Sequence, residues 1–257
     1  MLAAALPAAA AGAVPGGVAK VRVENGAQAT LDGNRVLVMR ESKGWVAIAG
    51  VPLSAAPGEK LSLQVRYPDQ RFKQLEITVT RKKYPSQRLS VPRDQAELDP
   101  EQMKRYEQER EHLQEVLRTF SESPPASLAM REPVSGRRSG SFGSRRIING
   151  EPRSPHSGMD IAADNGTPIA AANAGRVIDV GEYLFLGRTV ILDHGQGLLS
   201  LYAHLSEVNA APAETVAAGK IIGKVGTSGR ATGPHLHFSI YLNTAAVDPA
   251  YFLGATP

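Results

Sequence analysis

The chain contains no cysteine. That excludes a disulfide framework, a thiolate metal site and a cysteine nucleophile, and it leaves histidines and carboxylates to hold any metal. Aromatic residues make up 5% of the 257 residues, with a single tryptophan. No window reaches the roughly 18 to 20 consecutive apolar residues of a spanning helix, so no transmembrane segment is expected. Neither sign of charge dominates: 29 Lys and Arg against 25 Asp and Glu give +4. That excess is weak and dispersed, unlike a dedicated nucleic-acid binder, although it favours contact with polyanions such as an anionic cell wall. What is present is the composition of a folded protein, 42% hydrophobic and 21% charged, with length for two domains.

Residues 1–14 form a first compositional segment. Leu2 to Val14 is almost wholly Ala, Leu, Pro and Gly, like the apolar part of an export signal with Ala11-Gly12-Ala13 as a cut site, although no Lys or Arg precedes Lys20. Residues 15–92 are expected to form a small β-sandwich or barrel. Leu61, Leu63, Val65 and Tyr67 alternate with Ser62, Gln64 and Arg66, Leu75, Ile77 and Val79 repeat the pattern, and Asn25-Gly26 and Asp32-Gly33 supply turns. Trp45, inside an apolar run, is read as core.

Residues 93–140 are expected to hold a helix and a Pro-rich linker. Asp99 is a helix N-cap, Pro100 the first helical residue, Gln102 completes a capping box, and Leu98 and Met103 are spaced for a hydrophobic staple. Met103, Tyr106, Leu113, Leu117 and Phe120 give one packing stripe on an otherwise charged helix. Ser121 to Gly140 reads as an extended linker. From Ser141 onward the chain turns Gly-rich, with short apolar runs at 176–180, 189–192, 199–204, 220–225 and 235–242. This second domain, residues 141–257, is expected to be antiparallel β, and the protein as a whole mainly β.

Five of the six histidines lie in the second domain. In His235-Leu236-His237-Phe238-Ser239 the two imidazoles share one strand face while Leu236 and Phe238 share the other. The alternation of Leu201, Ala203 and Leu205 with Tyr202 and His204 places His204 on a polar face. His156 and Asp160 flank Ser157-Gly158-Met159, a Gly-containing turn. Each pattern alone fits a hydrogen-bonded surface histidine, but together they provide the nitrogen and carboxylate donors of a hydrolytic zinc site. His194, beside Gly195-Gln196-Gly197, is read as part of a hairpin, and His112 as solvated on the charged helix.

Four motifs in order make a more specific pattern. Ser141-x-Phe-Gly-x-Arg145, His156-x-x-x-Asp160, Leu201-Tyr-Ala-His204-Leu205, and Gly226-Thr-Ser-Gly229 leading through Thr232-Gly-Pro-His-Leu-His237 together resemble the LytM or lysostaphin-type zinc endopeptidases of bacterial cell walls. The resemblance covers about Ser141 to Leu253 and implies one Zn²⁺ held by His156, Asp160 and His237, flanked by His235 and His204. It implies an antiparallel β scaffold with the metal in a groove, and Arg145 as a groove residue able to meet a substrate carboxylate. A zinc-activated water needs a base and an oxyanion partner; His235 is assigned the first role and His204 the second, the reverse also being open because sequence fixes no tautomer. Two positions depart from the pattern: Ser239 stands where many relatives carry an acidic residue, and Gly187-Arg188 where Gly-Asn is expected.

The implied function is hydrolysis of peptidoglycan peptide cross-links. The upstream β module, helix and Tyr84–Val91 segment resemble periplasmic D,D-endopeptidases that cleave D-Ala to meso-diaminopimelate bonds, which places the protein in the Gram-negative envelope, with an unidentified regulatory envelope protein as a further partner. Three alternatives are carried. One is cleavage of glycine bridges; another is a non-enzymatic activator of wall amidases, which would have lost metal ligands that all stand here. The last is a polyanion-binding module built on Arg137-Arg138 and Arg145-Arg146, which predicts steep salt dependence without turnover.

Overall fold

Period-two alternation builds the first unit. The structure, a computed structural model, describes residues 13–90 and 97–254. Six strands, β1 (Val18–Val23), β2 (Gln28–Leu31), β3 (Asn34–Glu41), β4 (Gly44–Gly50), β5 (Lys60–Arg66) and β6 (Phe72–Thr78), pair antiparallel in the order β1-β4-β3-β2-β5-β6. In β5, Leu61, Leu63 and Val65 are buried while Gln64 and Arg66 face water. Inward side chains of all six strands meet in one core, and among the described residues no pairing joins β1 to β6, so the strand path stays open. A sheet with one covered face needs something for the other. Val36, Val38, Ala47 and Ala49 close the first core, whereas Leu37, Val46 and Ile48 of the same two strands enter the core of the second unit. Trp45 is half-buried against the first core.

The export-like start lies outside the described residues as far as Gly12. Ala13 is buried in the first core, and its carbonyl accepts the Thr80 N–H at 2.7 Å. A short strand β7 (Ser86–Leu89) then leaves the first sheet.

Helix α1 (Pro100–Val116) starts where the capping residues dictate. The Asp99 carboxylate accepts the Gln102 N–H at 2.8 Å and the Gln102 side chain accepts the Asp99 N–H at 3.2 Å. Leu113, Val116 and Leu117 pack on Ile191, Leu199, Leu201 and Tyr241 of the second unit. The stripe ends sooner than expected. Phe120 lies beyond the helix with the Arg35 guanidinium 3.9 Å above its ring, and Met103 is 42% exposed. Among the described residues no helix is long and apolar enough to cross a membrane.

Twelve strands follow: β8 (Arg137–Gly140), β9 (Arg145–Ile148), β10 (Glu151–Pro152), β11 (Met159–Ala162), β12 (Pro168–Ala170), β13 (Gly175–Tyr183), β14 (Gly187–Gly195), β15 (Leu198–Val208), β16 (Thr215–Val216), β17 (Ile221–Val225), β18 (His235–Leu242) and β19 (Ala245–Val247). The main path is β16-β13-β14-β15-β18-β11-β8, with β12, β17 and β19 attached, and every pairing in it is antiparallel. A separate small sheet pairs β7 in parallel with β9, which also carries β10.

Ser121 to Gly140 is no free-running linker. Met130 and Val134 are buried in the second core, the Met130 N–H donates to Phe252 O at 2.8 Å, and β8 adds a strand to β11. A stretch that buries apolar side chains and gives its backbone to a sheet is held in place despite its prolines. The two units are pinned as well as packed. The buried Asn243 carboxamide accepts the Gly50 N–H at 2.6 Å and donates to Gly50 O at 3.1 Å. Asn243→Ala leaves both Gly50 groups unpaired in a buried junction, so chemical denaturation is expected to show a stability loss of about 2–4 kcal/mol with an unchanged fold.

Candidate metal centre

The site is made by strand register. Asp160 on β11 stands directly opposite His237 on β18, so their side chains emerge on the same face of one ladder. His156 reaches them from the loop before β11. Its backbone is held on both sides, with the Gly143 N–H donating to His156 O at 2.8 Å and the His156 N–H donating to Ser144 O at 3.0 Å. His156 Nε2, Asp160 Oδ1 and His237 Nδ1 lie 3.0 Å from one another in all three pairings. All three residues are buried or nearly so.

The protons around this triangle favour a cation at its centre. His156 Nδ1 sits 3.0 Å from Ser141 O, which can only accept, so that nitrogen carries the hydrogen and Nε2 turns a lone pair toward Asp160 and His237. On His237, Nε2 lies 2.9 Å from the Ser239 hydroxyl and Nδ1 faces the cluster. Lone pairs of two imidazoles and a carboxylate therefore converge. Their spacing is close to the edge of about 3.3 Å in a tetrahedron whose bonds are about 2.0–2.1 Å, the habit of zinc with N and O ligands. Burial drives the Asp160 carboxyl up, but the pull of His156 and His237, exerted when a facing ring nitrogen carries a proton in place of the cation, outweighs it and holds the group well below the usual carboxylate range. Burial likewise pushes His237 down against the pull of Asp160, keeping the ring neutral and able to ligate.

Close approach by backbone is part of the design. A Cβ at Gly158 would lie 2.4 Å from Ser239 Oγ and 2.7 Å from the His237 ring, so only glycine lets the His156–Asp160 turn pass beneath the histidine. Behind His237, the Ser239 hydroxyl lies 2.9 Å from Nε2, and burial raises the Tyr241 hydroxyl on the same strand above its ordinary value. The Ser239 hydroxyl thus stands where the sequence pattern leads one to expect a carboxylate, fixing the ring's orientation without adding charge.

His204 and His235 flank the triangle, their rings 4.7 Å apart at the centroids. His235 opens β18, with Nδ1 2.8 Å from Gly233 O and Nε2 3.8 Å from Asp160 Oδ1. His204 does not follow the simple alternation read from β15. The pairing of β14 with β15 shifts register between Arg188 and Val190, opposite Leu205 and Tyr202, and His204 adopts φ +64°. The bulge re-aims the imidazole. Its Nδ1 lies 2.8 Å from Ser228 O, and its backbone N–H donates to Leu186 O at 2.8 Å. Both flanking rings therefore place Nδ1–H on a backbone carbonyl and keep Nε2 as the open acceptor. Burial pushes His204 down to about 4.

Three expected positions stand apart from the cluster. Arg145 opens β9 at the surface, with its backbone N–H on Pro85 O. His194 is buried in the β14–β15 hairpin between Ala174 O and the Ser200 hydroxyl, each at 2.7 Å, and Ser200 continues to the Tyr202 hydroxyl. His112 is exposed but not merely solvated, since Nε2 bonds Asp179 at 2.9 Å. Sequence reasoning quoted Ser228 within a motif but missed its task of holding His204, and it had no means of finding the carbonyls of Ser141, Leu186 and Gly233.

Residues 154–249 match the profile of Peptidase family M23, and residues 11–82 match the Peptidase family M23 N-terminal domain. A crystal structure of a candidate M23 peptidase from Pseudomonas aeruginosa is 38% identical, covers 95% of this chain and 96% of its own, and superposes with a TM-score of 0.78. The chain belongs to peptidase family M23. Over 102 residues this M23 chain is 40% identical to a DD-carboxypeptidase/endopeptidase, Mpg, of Neisseria meningitidis, covering 40% of the chain and 24% of that relative. Over 121 residues it is 34% identical to the peptidoglycan DD-endopeptidase ShyA of Vibrio cholerae, covering 46% of the chain and 28% of that protein. The matched part spans about a quarter of the length of these curated relatives.

Two measurements follow. Gly158→Ala displaces His237 and is expected to weaken divalent-metal affinity by about 10–100-fold in a chelator competition, with the β-sheet circular dichroism unchanged. Burial lowers His194 below its ordinary value, so the native state resists protonation that the unfolded chain accepts. Stability from this group is full above about pH 6.5 and falls as pH drops below it. His194→Gln lacks that loss, so the stability gap between wild type and variant should narrow from about pH 7.5 to about pH 5 in denaturant titrations.

Proposed function

We propose that this protein is a zinc-dependent endopeptidase that hydrolyses peptide cross-links of peptidoglycan in the cell envelope, with the bond between D-Ala and meso-diaminopimelate as its target in a Gram-negative periplasm. The observation that carries the reading is the triangle of His156 Nε2, Asp160 Oδ1 and His237 Nδ1 at 3.0 Å, flanked by two imidazoles that are not part of it. The names of the Neisseria and Vibrio relatives support the substrate. The same reading takes the chain from about Ser141 as the catalytic unit and the sheet of Val18–Thr78 as an accessory domain. A complete donor set argues against an amidase activator that has lost its ligands.

His156, Asp160 and His237 would hold one Zn²⁺, which when bound supplies a Lewis acid for an amide carbonyl and lowers the pKa of a water toward ~7. The protein's own groups supply the rest. His235 is the assigned base, because its Nδ1–H is engaged by Gly233 O and its Nε2, 3.8 Å from Asp160, is open to a proton. His204 is neutral at pH 7, and its Nδ1–H is committed to Ser228 O. It can present an N–H to a developing oxyanion only after Nε2 takes up a proton, so the two rings share one acid–base task rather than two separate ones. Ser239, 2.9 Å from His237 Nε2, keeps that ring in the ligating orientation. Arg145 is the assigned partner of a substrate carboxylate.

Purified protein incubated with cross-linked muropeptides, with and without chelator, should convert dimers to monomers only when metal is retained, as read by mass spectrometry. His237→Ala is expected to lose both metal and turnover, whereas His204→Ala keeps about one metal per chain and loses about 10²–10⁴-fold in kcat. Intact dimers with a metal-loaded wild type would sink the reading.

A further inference from the structure

His204 carries an unusual burden. It is a non-glycine residue at φ +64°, a conformation that costs on the order of 1–3 kcal/mol and persists only where surrounding contacts impose it. One of those contacts is the backbone bond from the His204 N–H to Leu186 O, in the turn between β13 and β14. The same turn is tied to the loop holding the imidazole: Phe185 O accepts the Arg230 N–H at 3.0 Å, and the Ser228 hydroxyl accepts the Arg188 N–H at 2.9 Å. At Gly187, φ is +62° and an added Cβ would fall 2.3 Å from Ser228, so turn and loop are in backbone contact.

The opposite side of this turn is held by helix α1. Glu109 Oε2 accepts the Leu184 N–H at 2.7 Å, and Arg105 donates to Glu182 O at 3.1 Å. The two side chains are joined to each other at 2.6 Å, so one ion pair grips the turn on both a donor and an acceptor. Tyr106 meets Phe185 edge-on with ring centroids 5.2 Å apart, and His112 reaches Asp179 in the middle of β13. Glu109 is only 18% exposed on a helix that is otherwise largely solvated, which sets it apart from the remaining charges.

We propose that Glu109, assisted by Arg105, is a positioning residue for His204: helix α1 clamps the β13–β14 turn, and the turn holds His204 in its left-handed conformation facing the metal centre. The inference rests on the proposed endopeptidase reading for its link to turnover, but the clamp itself is a physical coupling that needs neither metal nor substrate. It gives the helix a task that its amphipathic stripe alone does not, and it makes the charged face, rather than the apolar one, the part that bears on chemistry.

The test uses the full chain. In Glu109→Ala, amide hydrogen exchange at Leu184 and His204 is expected to speed up by about tenfold or more, while metal content stays near one per chain, kcat on muropeptide dimers falls about tenfold and KM moves less than about threefold. Glu109→Gln keeps an acceptor for the Leu184 N–H and should restore most of the protection and rate. Glu111→Ala, on the solvent side of the helix, should match wild type. Unchanged exchange at His204 in Glu109→Ala overturns the proposal whatever the activity, and so does an equal effect from Glu111→Ala. Faster exchange with unchanged kcat overturns the link to turnover. A wild type without turnover would sink the endopeptidase reading yet leave the exchange result to decide the clamp.

Discussion

Asp160 and His237 face each other across one antiparallel ladder, and the chemistry of the molecule depends on that register. A one-residue slip would send the imidazole to the opposite face and leave the carboxylate buried beside apolar side chains. The fold guards against the slip from both flanks. β18 is paired with β15 as well as β11, and Leu236, Phe238, Ile240 and Leu242 are fully buried on its other face, so the register that satisfies the core is the one that assembles the donors. Packing thus pre-forms an electrostatically unfavourable cluster. Lone pairs of two rings and a carboxylate at 3.0 Å would separate if they were free to do so, and the sheet does not let them.

The second organising constraint is that two cores are built from one pair of strands. β3 and β4 present Val36, Val38, Ala47 and Ala49 to the first core and Leu37, Val46 and Ile48 to the core of the second unit. The two units consequently share a hydrophobic interior rather than meeting at a wet surface. Asn243, bonded to the Gly50 N–H and carbonyl in the same junction, adds a directional tie to that packing.

Much of this was legible in the sequence, and the reason is periodicity. Alternation identified β5 and β18 because one face of each strand is apolar, and the Asp99-Pro100-x-Gln102 signature located the helix start because capping is a local interaction. The histidine and aspartate positions were legible because their spacings coincide with a known motif set. Failures arose where non-local contacts override local preference. Ser121–Gly140 looks like a linker by its prolines, yet Met130 and Val134 find a core and β8 finds β11. His204 looks like an ordinary alternating strand residue, and nothing in its neighbours announces the bulge, which is imposed by the register of β14. Glu109 and Arg105 look like a solvated helical ion pair, because the turn they grip is more than 70 residues away.

The left-handed backbone at His204 sets the demands of durability and of function against each other at a single position. A glycine there would adopt the same φ without penalty and relieve about 1–2 kcal/mol of strain, yet it would remove the imidazole that faces His235 with ring centroids 4.7 Å apart. Selection for thermal robustness alone would therefore favour glycine at this site, and a histidine kept there is a standing conformational penalty that the fold itself does not require.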